Sequence, residues 1–255
     1  MTASPSPRDP TLKASFDQDG YVFLKSFLSP SETEELSRQI DRYVRDVVPS
    51  LPVEEVFYEQ KGRPETLKQL QRVADHDAWF EKFFFSERFV GLAEHLLADK
   101  VVGKNLQWFN KPPGVGQPTP PHQDGYYFML EPNEALTMWL ALDVVDEQNS
   151  CVRYVPGSHR TGIRPHARTG VLGFSQGITD FGSADLQKEI AFPAQPGDLL
   201  VHHSLTIHRA DGNNSNRTRK ALGFIYYAER AKEDTERQAA YAKKLKADLV
   251  KQGKL

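Results

Sequence analysis

The stretch PPHQDGYYF, residues 120–128, sets His122 and Asp124 two positions apart, behind two prolines and ahead of Tyr126, Tyr127 and Phe128. On a strand, residues i and i+2 point to the same side, so an imidazole and a carboxylate at this spacing can share one metal ion. Two histidines and one carboxylate on one face of iron(II), with the other positions open, form a donor set suited to oxygen activation. Taken alone, His-x-Asp is equally a surface histidine beside a turn carboxylate. The chain must therefore supply a third ligand from elsewhere.

Downstream, the candidates are His159, His166, His202, His203 and His208. In DLLVHH the strand alternation places His202 and His203 on opposite faces, so at most one looks inward. His208 follows a short loop, and after it come an Asn-rich turn and a strand bearing Arg219. A planar guanidinium there could hold the distal carboxylate of 2-oxoglutarate through two parallel hydrogen bonds, a geometry lysine does not offer.

These residues need elements to place them. GYVFLKSFL (20–28) reads as a short strand. SPSE at Ser29 to Glu32 has the form of a capping box with proline at the first helical position. Leu36, Ile40, Tyr43, Val44 and Val47 recur at helical spacing, which predicts an amphipathic helix over 30–48. A second helix is predicted after Ser86, and a helical piece around ETLKQLQRV (65–73). From Val101 to Ala228, short apolar or alternating runs are separated by Gly, Pro, Asn and Asp, the pattern of a β-sandwich or barrel. The segment after Glu229 reads as a C-terminal helix with Tyr241, Leu245 and Leu249 in register. The expectation is one domain over 1–255: 1–14 disordered, 15–100 mainly helical, 101–228 the β core, and 229–255 the closing helix.

Four blocks, HQDGYY, VPGSHRTG, PGDLLVHHSLTIH and NNSNRTRKALGFIYY, together resemble the phytanoyl-CoA dioxygenase (PhyH) family of iron(II)/2-oxoglutarate oxygenases. The resemblance runs over about residues 15 to 230, with the blocks in the family's order. It implies a mainly β fold with flanking helices around a double-stranded β-helix (jelly-roll, cupin-like) core. It implies iron(II) on His122, Asp124 and His208, and 2-oxoglutarate and O2 as co-substrates, with Arg219 on the 2-oxoglutarate carboxylate; Arg217 is the nearest competitor for that role. Trp139, Gln107 and Lys68 match further positions around the co-substrate. The carboxylate Asp124, which halogenating relatives lack, argues for hydroxylation. Against the family pattern, Ala210 stands two after the distal histidine where a small polar residue is usual, and Ser150 precedes Cys151 in place of glycine.

For the primary substrate, alternation favours Tyr126 and Phe128 on the side of His122 and leaves Tyr127 to packing; His159 is a candidate at the pocket mouth. Two other readings keep the fold: a non-catalytic jelly-roll ligand-binding protein, and a non-redox metal enzyme of cupin type. The complete ligand set with Arg219 argues against the first, since drift would be expected to remove one of these residues, and a non-redox metal enzyme has no need of a carboxylate anchor at Arg219.

The bulk properties narrow the class. The chain has 255 residues, 39% of them hydrophobic and 26% charged, with a net charge of −2. That suits a globular protein acting on a small molecule and offers no basic stripe for nucleic acid. The single cysteine, Cys151, excludes an internal disulfide framework. With no apolar run long enough for a membrane span and no signal-peptide core at the start, the expected location is cytoplasmic.

Overall fold

A computed structural model describes residues 8–171 and 174–251. Two antiparallel sheets form the centre. The larger has seven strands in the order Tyr21–Leu24, Leu199–His203, Ala135–Ala141, Lys220–Ala228, Val101–Asn110, Leu67–Leu70 and Val56–Tyr58. The smaller has four: Ile190–Phe192, Val152–Tyr154, His208–Ala210 and Thr119–His122. Trp139, Leu200 and Ala221 of the larger sheet pack on Val152 and Tyr154 of the smaller one, making a sandwich with a jelly-roll core.

Helices cover the opposite face of the larger sheet. Helix Pro30–Asp46 starts at the predicted capping box: Ser29 Oγ accepts from Glu32 N at 3.3 Å, and Glu32 Oε2 accepts from Ser29 N at 2.7 Å. Its buried Leu36, Ile40 and Tyr43 join Phe80 of helix Ala78–Phe84 and Phe89, Leu92 and Leu96 of helix Glu87–Leu97. From the sheet come Leu106, Leu136, Met138, Leu140, Leu222 and Phe224, all without measurable exposure. This is the main hydrophobic core.

The structure departs from the sequence expectations in several places. Residues 10–14 are not disordered: helix Pro10–Asp19 begins there, with Asp9 Oδ1 accepting from Thr11 N at 2.9 Å; residues 1–7 lie outside those described. The segment around ETLKQLQRV is not a helix. A short 3-10 turn, Pro64–Thr66, runs into strand Leu67–Leu70, whose four residues are all buried. A strand buried on both faces shows no alternation, and its Leu67 and Leu70 fit a helical spacing equally well. The part spanning 15–100 is thus more than helical, because it contributes three strands to the larger sheet. The C-terminal helix is Thr235–Lys251; the side chains of Leu245 and Leu249 lie outside those described. No helix among the described residues is long and apolar enough to cross a membrane.

Candidate metal centre and co-substrate cavity

Sheet register brings distant histidines together. In the smaller sheet His208 lies directly opposite His122 on one side and Tyr154 on the other. In the larger sheet His202 lies opposite Thr137. The two rows face one another across the sandwich, and Asp124 lies where they meet.

Asp124 does not reach this place by strand alternation. The strand ends at His122, Asp124 has helical dihedrals (φ −56°, ψ −35°), and Gly125–Phe128 forms a single helical turn. Gln123, fully buried between the two candidate ligands, fixes the turn. Its Oε1 accepts from Arg164 N at 2.8 Å, and its Nε2 donates to the carbonyls of Gly162 and Leu205 at 2.9 and 2.7 Å.

The ligand atoms of His122, Asp124 and His208 all lie within 4.8 Å of one another. His122 Nε2 is 3.5 Å and His208 Nε2 3.7 Å from Asp124 Oδ1. Metal bonds of about 2 Å place neighbouring ligands roughly 3 Å apart, so each histidine has less than about 1 Å to close on Asp124. Each histidine has its other nitrogen engaged: Nδ1 of His122 lies 2.9 Å from the carbonyl of Pro120, and Nδ1 of His208 3.0 Å from that of Thr206. A carbonyl only accepts, so Nδ1 carries the proton and Nε2 offers its lone pair. Burial would raise the Asp124 pKa, but His208, His122 and His202 outweigh it and hold the carboxyl well below its ordinary range. Burial, then His122 and His202, push His208 well below the usual imidazole value. An ionised carboxylate and neutral imidazoles are the forms that bind a divalent ion. The donor set fits iron(II).

Beside the three residues opens a cavity of about 240 Å³. Arg219 lines it, 4% exposed, with its guanidinium carbon 5.4 Å from the centre of the Trp139 ring. Its Nε is buried without a hydrogen-bond partner among the described residues. Burial lowers its pKa to about 10, which leaves it charged at neutral pH. A buried cation with an unmet donor is costly unless an anion completes it, which suits a carboxylate ligand. Arg217, the competitor, turns away and pairs with Asp146 at 2.6 Å, 39% exposed.

Gln107, Trp139 and Lys68 also line the cavity. Gln107 Oε1 accepts from Gln69 Nε2 at 2.9 Å, and Lys68 Nζ lies 3.1 Å from Glu59. A second buried lysine, Lys111, was not anticipated; its Nζ donates to the carbonyl of Asp211 at 2.6 Å, and burial, Arg219 and Lys68 push its pKa well down.

The aromatic expectations need correction. Because 125–128 is a helical turn, Tyr127 and Phe128 line the cavity and Tyr126 does not. Tyr126 stacks on His166 at 4.4 Å, and Tyr127 Oη donates to the carbonyl of Gln176 at 2.9 Å. His159 is not at the cavity either; it packs beside His203, 5.5 Å between ring centres, with Nε2 3.1 Å from the carbonyl of Asp17. His202 and His203 do point to opposite faces: His202 lines the cavity and His203 packs near Phe16. Sequence reading missed Thr137 and Tyr154. Thr137 Oγ1 donates to Asp124 Oδ2 at 2.6 Å, and Tyr154 Oη lies 2.9 Å from His202 Nδ1.

Comparison with known proteins agrees with this geometry. The profile of the phytanoyl-CoA dioxygenase (PhyH) family matches residues 16–221. Peroxisomal phytanoyl-CoA dioxygenase of Rattus norvegicus is 24% identical over 224 residues, covering 83% of this chain and 66% of its own length. The chain therefore spans just under two thirds of that relative. A probable alpha-ketoglutarate-dependent hypophosphite dioxygenase of Stutzerimonas stutzeri is 26% identical over 215 residues, 82% of this chain and 75% of the relative. Among solved structures, EvdO2 from Micromonospora carbonacea var. aurantiaca, complexed with 2-oxoglutarate, superposes with a TM-score of 0.70 at 25% identity, covering 88% of this chain and 92% of that one. With the profile spanning most of the sequence and the fold shared, this chain belongs to the phytanoyl-CoA dioxygenase (PhyH) family.

Proposed function

We propose that the protein is an iron(II)/2-oxoglutarate-dependent dioxygenase that hydroxylates a small-molecule substrate while 2-oxoglutarate is converted to succinate and CO2. One observation carries the reading: a two-histidine, one-carboxylate cluster and a buried arginine with an unmet donor line the same cavity. Either feature alone has other uses. Together they offer a place for a metal and for the far end of a dicarboxylate.

In this reading His122, Asp124 and His208 hold iron(II), which supplies oxygen activation when bound. Arg219 binds the distal carboxylate of 2-oxoglutarate and so orients the keto-acid end toward the metal. Trp139 backs the guanidinium, and Gln107 and Lys68 complete the co-substrate walls. Tyr127 and Phe128, with Ile225, present an aromatic and apolar surface to the primary substrate. They also keep bulk water from the reacting atoms. The Asp124 carboxylate, occupying its ligand position, favours hydroxylation as the outcome. A reducing, cytoplasmic setting is supported by the single buried Cys151.

The test is O2-dependent succinate formation from 2-oxoglutarate with iron(II), measured across a panel of small-molecule substrates. The reading expects iron-dependent succinate that Asp124→Ala removes. Equal succinate from wild type and Asp124→Ala would overturn it.

A further inference from the structure

The two oxygens of Asp124 have different surroundings. Oδ1 is the atom nearest the Nε2 atoms of His122 and His208. Oδ2 faces the other way and meets two donors, Thr137 Oγ1 at 2.6 Å and His202 Nε2 at 3.1 Å. Thr137 and His202 are direct cross-strand partners, so one register sets both donors side by side on the face that looks at Asp124.

The direction of the second bond follows from valence. A carboxylate only accepts, so His202 Nε2 donates to Asp124 Oδ2. At Nδ1 lies Tyr154 Oη, 2.9 Å away, which fixes the orientation of the ring. Tyr154 is itself fully buried and stacked on Tyr21 with ring centres 5.0 Å apart. Its strand belongs to the smaller sheet, where it lies opposite His208. The chain Tyr154–His202–Asp124 thus ties the two sheets together at the metal position.

We propose that His202, oriented by Tyr154 and assisted by Thr137, is a positioning residue that holds Asp124 Oδ2 so that only Oδ1 is presented to the metal. The proposal rests on the iron-site reading above and adds His202 to it as a donor to a ligand, not as a ligand. A carboxylate free to turn could take the metal through both oxygens and occupy a position that the co-substrates need. Held by two donors, it offers one oxygen and arrives already oriented, which raises metal affinity.

The experiment is an anaerobic iron(II) titration of the metal-free protein, without 2-oxoglutarate or substrate, alongside the melting temperature of each metal-free variant. His202→Phe is expected to weaken iron(II) binding roughly 10- to 100-fold, with His202→Gln, which keeps an N–H donor, recovering most of the loss. Thr137→Val, a nearly isosteric change that leaves the fold in place, is expected to weaken binding about tenfold and keeps the test decisive if His202→Phe does not fold. Unchanged affinity in every one of these variants that folds, in Thr137→Val alone if His202→Phe does not, overturns the proposal while leaving the iron site intact. A His202→Gln loss as large as that of His122→Ala also overturns it, because His202 would then be a ligand. A wild-type protein that binds no iron(II) overturns both this proposal and the reading it rests on.

Discussion

Strand Ala135–Ala141 serves two regions of opposite character. Leu136, Met138 and Leu140 enter the main core with the helices, beside Leu222 and Phe224 of the neighbouring strand. Between them, Thr137 and Trp139 look into the cavity with His202 and Arg219. The first face is apolar and closed, and its stability comes from area removed from water. The second holds ionised, hydrogen-bonded and unmet groups whose burial contributes little stability without a ligand. One backbone therefore separates the two tasks by alternation: a rigid, dry layer on one side fixes the position of costly polar groups on the other. The neighbouring pair His202 and His203 repeats the division on a single strand.

Substitutions on the two faces should separate activity from stability. The largest effect is expected from His208→Ala, which removes a ligand from the polar face: iron-dependent succinate formation should fall to background, while the melting temperature of the metal-free protein stays near wild type. A metal-free protein that unfolds with His208→Ala would mean that the polar face is structural after all. On the apolar face, Phe224 has no exposure and stacks on Phe89 at 4.3 Å. Phe224→Ala should cost about 3–5 kcal/mol in urea unfolding, with the iron affinity of the folded fraction unchanged.

Arg219→Ala should weaken 2-oxoglutarate binding by about 2–3 kcal/mol, roughly a hundredfold, and leave iron(II) affinity intact by calorimetry. Equal loss of both would remove Arg219 from its assigned role. The remaining effect appears only on acidification and concerns His203, whose folded pKa is pushed to about 4 by burial first and by His159 and His202 next. The unfolded chain binds that proton near an ordinary value of about 6.5, so stability is full above that pH and is lost as the pH falls toward 4. Melting temperatures measured across that window should decline for wild type and decline less for His203→Gln.

How much of this was legible in the sequence depended on whether the information was local. His122, Asp124, His208 and Arg219 stand in short blocks whose order and residue types carried them, and the structure gathers them at one cavity. The opposed faces of His202 and His203 followed from strand geometry alone. Thr137 and Tyr154 did not, because their contacts with Asp124 and His202 join residues 13 and 48 apart, one from a strand to a turn and the other from sheet to sheet across the sandwich. Alternation favours Tyr126 over Tyr127 only as long as the strand lasts; past His122 the chain turns helical and the period changes from 2 to 3.6. The strand at Leu67–Leu70 is equally hidden from the sequence, because its burial on both faces leaves no period of 2 to distinguish it from a helix.

The most direct test of the central claim is an anaerobic titration in which iron(II) and then 2-oxoglutarate are added to the metal-free protein and followed by visible absorption. The account predicts a weak charge-transfer band that appears only when both are present, is absent in His208→Ala, and in Arg219→Ala needs far more 2-oxoglutarate to develop. Wild-type protein that shows no such band at saturating iron(II) and 2-oxoglutarate would contradict it.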